Sequence, residues 1–125
     1  MINIDLGNVG NWAEEKMIPY TTYMDLSQQQ AVEELILREV RQVNEQLPEV
    51  MKIRKFVLLY KLLDADDDEL TRTGKVRRRF VYGLYIKIIE AMYGAVKSVP
   101  VTGKIRYRDG RIGEIETTIN ILSVD

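Results

Sequence analysis

The chain is 125 residues long, with 46% hydrophobic residues, 30% charged residues and a formal net charge of −1. That length fits one domain able to remove roughly two thirds of its unfolded surface from water, and the near-balanced charge argues against disorder and against polyanion binding. Cysteine and histidine are both absent, which excludes disulfides, thiolate nucleophiles and sulfur-based zinc sites and argues against histidine-dependent hydrolases and most catalytic metal sites.

Ile2 and Ile4 alternate with Asn3 and Asp5, the pattern of a short strand. Residues 9–17 place Val9, Trp12, Ala13 and Met17 on one helical face, with Asn8 as the expected N-cap and Trp12 as a packing residue. Ser27 and Gln30 stand in the S-x-x-Q spacing of a capping box, ahead of Val32, Leu35, Ile36, Val40, Val43 and Leu47. A long helix is expected there, ended by Pro48, with Glu34–Arg38 and Arg41–Glu45 as i,i+4 pairs on a solvated face.

Residues 53–60 (IRKFVLLY) close on five consecutive apolar side chains, as in a central strand covered on both faces. An acidic loop follows, then the turn Thr71-Arg72-Thr73-Gly74-Lys75. Beyond it a third helix is expected, with Val76, Phe80, Leu84, Ile88 and Met92 as its buried stripe and Gly83 as a weak point. Two alternating runs flank Asp109-Gly110 and predict a terminal hairpin. A bulge or three-residue loop would pair Ile105 with Ile115, Arg106 with Glu114 and Lys104 with Glu116. Three helices, a small mixed sheet and a terminal hairpin make an α+β fold, read as one domain over residues 1–125.

No apolar run approaches the roughly 20 residues of a membrane helix, and the N-terminus lacks a basic segment followed by an apolar one. The expected location is cytoplasmic, with no transmembrane segment. Nucleic-acid binding through Arg77, Arg78 and Arg79 is disfavoured, since net charge is slightly negative and no aromatic platform accompanies them.

The Gly74-Lys75 pair is not a phosphate-binding loop of the GxxxxGK[ST] kind, because its first glycine position holds Glu69 and Val76 follows the lysine. Thr71-x-Thr73-Gly74-Lys75-x-x-Arg78 instead resembles the lysine motif near the C-terminus of AMP-forming acyl-CoA synthetases. VGNWAEEKMIPYTTYMDLS, VNEQLP, IRKFVLLYKLLDADDDELTRTGKVRRRFV and EAMY look like the bacterial long-chain fatty acid branch. The resemblance covers residues 2–93 and leaves 94–125 as a hairpin extension.

The resemblance implies a mobile C-terminal domain whose Lys75 serves acyl-adenylate formation. Thr71, Thr73 and Gly74 would shape the turn that contacts substrate or nucleotide, and Arg77, Arg78 and Arg79 would have a structural role or touch CoA. It implies ATP, Mg2+, CoA and a fatty acid for the intact enzyme, a large N-terminal adenylation domain as partner, and inactivity of this chain alone. Val81-Tyr82-Gly83-Leu84 stands where relatives carry a more charged turn. The first strands of the family's C-terminal domain precede the chain, so self-association at an open sheet edge is expected. The alternative is a stand-alone binding module that keeps the same fold and docks a partner through helix three and the hairpin.

Overall fold

A computed structural model of the chain describes residues 1–63, 69–106 and 111–124. Three helices come first: α1 (Leu6–Glu15), α2 (Tyr23–Ser27) and α3 (Gln30–Glu45). A strand, β1 (Lys55–Phe56), leads to α4 (Arg78–Leu84) and α5 (Ile86–Tyr93), then to β2 (Ser98–Arg106), β3 (Ile112–Asn120) and β4 (Leu122–Ser123). Helices and two antiparallel strand pairs combine without regular βα alternation, which is the expected α+β class.

Residues 55–59 are the centre of the fold. β1 pairs antiparallel with β4, while Ile2 makes a parallel bridge to Leu58, donating to the Val57 carbonyl at 2.9 Å and accepting from the Leu59 amide at 2.8 Å. Side chains of an extended segment alternate between faces. Phe56 and Leu58 therefore enter one core, with Val9, Ala13, Val32 and Val40 of α1 and α3. Val57 and Leu59 enter a second, with Val81, Tyr85, Ile88 and Ile119. All four residues are at most 3% exposed, as expected for a strand covered on both faces. Trp12 packs at the margin of the first core.

Several local expectations are corrected. α1 is capped by Asp5, whose carboxylate accepts the Asn8 amide at 2.9 Å, so Asn8 lies inside the first turn. No capping box forms at Ser27: it ends α2, and its hydroxyl donates to the Met24 carbonyl at 2.9 Å. α3 starts at Gln30, beyond Ser27, with no side-chain cap. Neither Glu34–Arg38 nor Arg41–Glu45 makes an ion pair. Arg41 instead donates to the carbonyl of Val124 at 3.2 Å.

The third helix is two, broken at Tyr85 (φ −106°, ψ 21°). Val81, Tyr85, Ile88 and Ile89 face inward, whereas Val76, Phe80 and Leu84 of the expected stripe are exposed. The terminal hairpin is present in another register, with Ile105 opposite Gly113, Lys104 opposite Glu114 and Arg106 opposite Ile112. This register sets Val99 against Ile119, and both pack in the second core. The Asp109-Gly110 turn lies outside the described residues. Among the described residues no helix is long and apolar enough to cross a membrane.

Candidate functional site: the lysine turn

The segment from Glu69 to Arg77 folds back on itself. Arg77 donates its amide to the Glu69 carbonyl at 2.9 Å, Leu70 and Val76 form an antiparallel bridge, and Thr71 donates to the Lys75 carbonyl at 2.8 Å. Gly74 donates to the Thr71 carbonyl at 2.9 Å and has φ +84°. Three residues thus span the loop, with glycine in the left-handed position that completes a turn of this length. The Thr71 hydroxyl accepts the Lys75 amide at 3.0 Å and lies 3.1 Å from the Thr73 hydroxyl. Every backbone and hydroxyl bond of the loop closes on itself, so the fold of the loop is local.

Residues 71–80 are all exposed. The Lys75 ammonium forms no ion pair among the described residues. A cation held on a braced turn and left open to solvent is available to an anionic group brought from outside. Arg77 lays its guanidinium over the Phe80 ring, 4.9 Å from the centroid. Arg78 borders a cleft of about 420 Å³ together with Val76, Val81 and Tyr82. The structure therefore gathers Thr71, Thr73, Gly74 and Lys75 in one turn and sets Arg77, Arg78 and Arg79 directly behind it. A larger cleft of about 580 Å³ is bordered by Lys52, Arg54, Lys55 and Tyr93 and holds none of these residues.

Under the turn sits a group that sequence reasoning missed. Glu69 is 0% exposed, and its two carboxylate oxygens accept from the Lys61 ammonium and the Tyr85 hydroxyl. Tyr85 stands edge-on to Tyr60, ring centroids 6.4 Å apart. In the sequence Glu69 is one more acid of the run 64–69. The signal that separates it is its position next to the turn, opposite Arg77 of the returning strand.

A family model described as AMP-binding enzyme C-terminal domain matches residues 17–97, the greater part of the chain and the whole lysine turn. The chain belongs to that family. Neither curated proteins nor solved structures yield a match. Membership in the AMP-binding enzyme C-terminal domain family gives the chain an adenylate-forming, ligase-type context. The matched segment ends at residue 97, just before β2.

Proposed function

We propose that the chain is the mobile C-terminal domain of a long-chain fatty acid CoA ligase and that Lys75 supplies the cation for acyl-adenylate formation. The observation that carries this reading is the braced, solvent-open turn, in which Gly74 at φ +84° precedes a lysine with no ion-pair partner among the described residues. In the first step a carboxylate oxygen attacks the α-phosphorus of ATP, a new P–O bond forms, and pyrophosphate leaves. In the second the sulfur of CoA attacks the acyl carbon and AMP leaves. Two anions must approach in the first step, and a long cation reaching both holds them in reacting geometry while charge builds on the phosphate oxygens.

Thr71 and Thr73 hold the turn through their hydroxyls, and Arg77, Arg78 and Arg79 add positive potential behind it. Among the described residues no cluster of acidic side chains could bind a metal.

The test is ATP–pyrophosphate exchange after joining this chain to the large domain of a long-chain ligase. Lys75→Ala is expected to lower exchange by about 10²–10³-fold, while thioester formation from supplied acyl-AMP survives. Equal loss of both steps, or unchanged exchange, refutes the assignment. A second reading, a stand-alone docking module, is favoured by one observation: Val76, Phe80 and Leu84 are exposed on the α4 side of the turn.

A further inference from the structure

The carboxylate of Glu69 plays no part in the chemistry proposed above, yet it is fully buried at the foot of the turn that presents Lys75. A buried ion pair contributes little net stability compared with apolar side chains of the same volume, so core filling alone gives no reason for an acid here. What the acid does is geometric. Its side chain is bound by Lys61, just past the central strand, and by Tyr85, the joint between α4 and α5. Its main-chain carbonyl accepts the Arg77 amide and forms the first rung of the hairpin. The Leu70–Val76 bridge and the Thr71–Lys75 bond follow directly. The internal bonds of the loop fix its shape, whereas Glu69 fixes where that shape points.

We infer that Glu69 is a positioning residue that, through Lys61 and Tyr85, anchors the lysine hairpin to the second core and sets the direction in which Lys75 meets an anionic substrate. The inference rests on the reading of Lys75 given above. Charge-assisted bonds to a buried carboxylate are directional as well as strong, so the lysine arrives with its orientation already set. Without them the turn keeps its own bonds but swings on its base.

Tyr85→Phe is the sharpest probe, since it keeps the ring beside Tyr60 and removes only the hydroxyl. In the joined enzyme it is expected to lower kcat for pyrophosphate exchange about tenfold, with KM for ATP and the thioester step unchanged. The double variant Lys75→Ala with Tyr85→Phe is expected to match Lys75→Ala alone, because a positioning residue has nothing to act on once the lysine is gone. In the 125-residue chain by itself, exchange of the Arg77 amide, which donates to the Glu69 carbonyl, is expected to rise about tenfold, with Val40 and the internally bonded Gly74 and Lys75 amides unaffected. Glu69→Gln keeps the side-chain shape, weakens both bonds, and is expected to shift the same readouts in the same direction. If Tyr85→Phe damages both half-reactions equally, adds its full loss to that of Lys75→Ala, or leaves Arg77 exchange unchanged, Glu69 is only structural and the inference falls. If Lys75→Ala leaves pyrophosphate exchange intact, the reading of Lys75 fails instead, and the amide data still decide whether Glu69 holds the turn.

Discussion

Two glycines nine residues apart should respond to the same substitution with opposite signs. Gly74 has φ +84°, and a Cβ built on it meets nothing within 4 Å. The cost of Gly74→Ala is therefore purely conformational, about 1–2 kcal/mol for an L residue in the left-handed region. Gly83 lies in α4 with no unusual φ, and its Cβ would also enter open space. There alanine gains about 1 kcal/mol in helix propensity. The two variants should differ by about 2–3 kcal/mol although both add one methyl group to exposed positions. Urea unfolding of each variant at constant slope measures this directly. Gly74→Asn should recover part of the loss, because asparagine tolerates the left-handed region better than alanine. If Gly74→Ala is as stable as the parent chain, or both variants shift in the same direction, the turn geometry on which the site depends is wrong.

Other perturbations probe the buried polar groups and the lysine. Lys61→Met leaves Glu69 buried with one charge-assisted partner removed; the loss should be about 3 kcal/mol by urea unfolding, the low end for a broken buried pair, because the Lys61 side chain keeps 29% of its exposure. Adding Glu69→Leu together with Tyr85→Phe, which removes the hydroxyl that Glu69 accepts from, should restore most of it, and failure to do so would locate the damage in packing rather than charge. Burial pushes the Glu33 carboxyl above its usual value of 4.5, against the pull of the Asn120 hydrogen bond. The folded state thus holds the proton more tightly, so this stabilising contribution is full below pH 4.5 and is lost as pH rises through the raised value. Glu33→Gln should flatten that dependence, and a constant stability difference between variant and parent from acid to neutral pH would refute it. Lys75→Ala should change stability by less than about 0.5 kcal/mol, because the side chain is exposed and forms no ion pair among the described residues.

Features governed by local chemistry were legible in the sequence. Gly74 before Lys75, flanked by two threonines, specified a tight turn through backbone sterics and short-range hydroxyl bonds. The apolar run 56–60 could be read as a strand buried on both faces. Features decided between distant segments were not legible. After the turn, two apolar stripes overlap: Val76, Phe80 and Leu84, or Val81, Tyr85 and Ile88. Periodicity weighs them equally. The choice falls to the second because Tyr85 can satisfy the buried Glu69, an acid that belongs to another stretch of chain. Ser27 looked like a cap because its spacing to Gln30 is right, yet the turn of α2 captured its hydroxyl first. The hairpin register followed the placement of Val99 and Ile119 in the second core rather than the sequence around the turn.

The central strand also constrains the order in which this chain can be completed. Ile2 pairs with Leu58, and Phe56 pairs with Leu122, so segments distant in sequence on either side meet at residues 55–59. Val124 fills the first core and Ile119 the second. A chain emerging from the ribosome at about 5–20 residues per second could form α1, α2 and α3 early, but would have to wait for Ile119 and Val124 before either core closed. Until then the apolar face of residues 56–59 would have no permanent cover. Pairings this distant in sequence also close slowly once available. Lys75 would be displayed at the surface long before the scaffold that aims it is finished, which makes the arrival of Ile119 in the second core the step that turns an exposed lysine into a directed one.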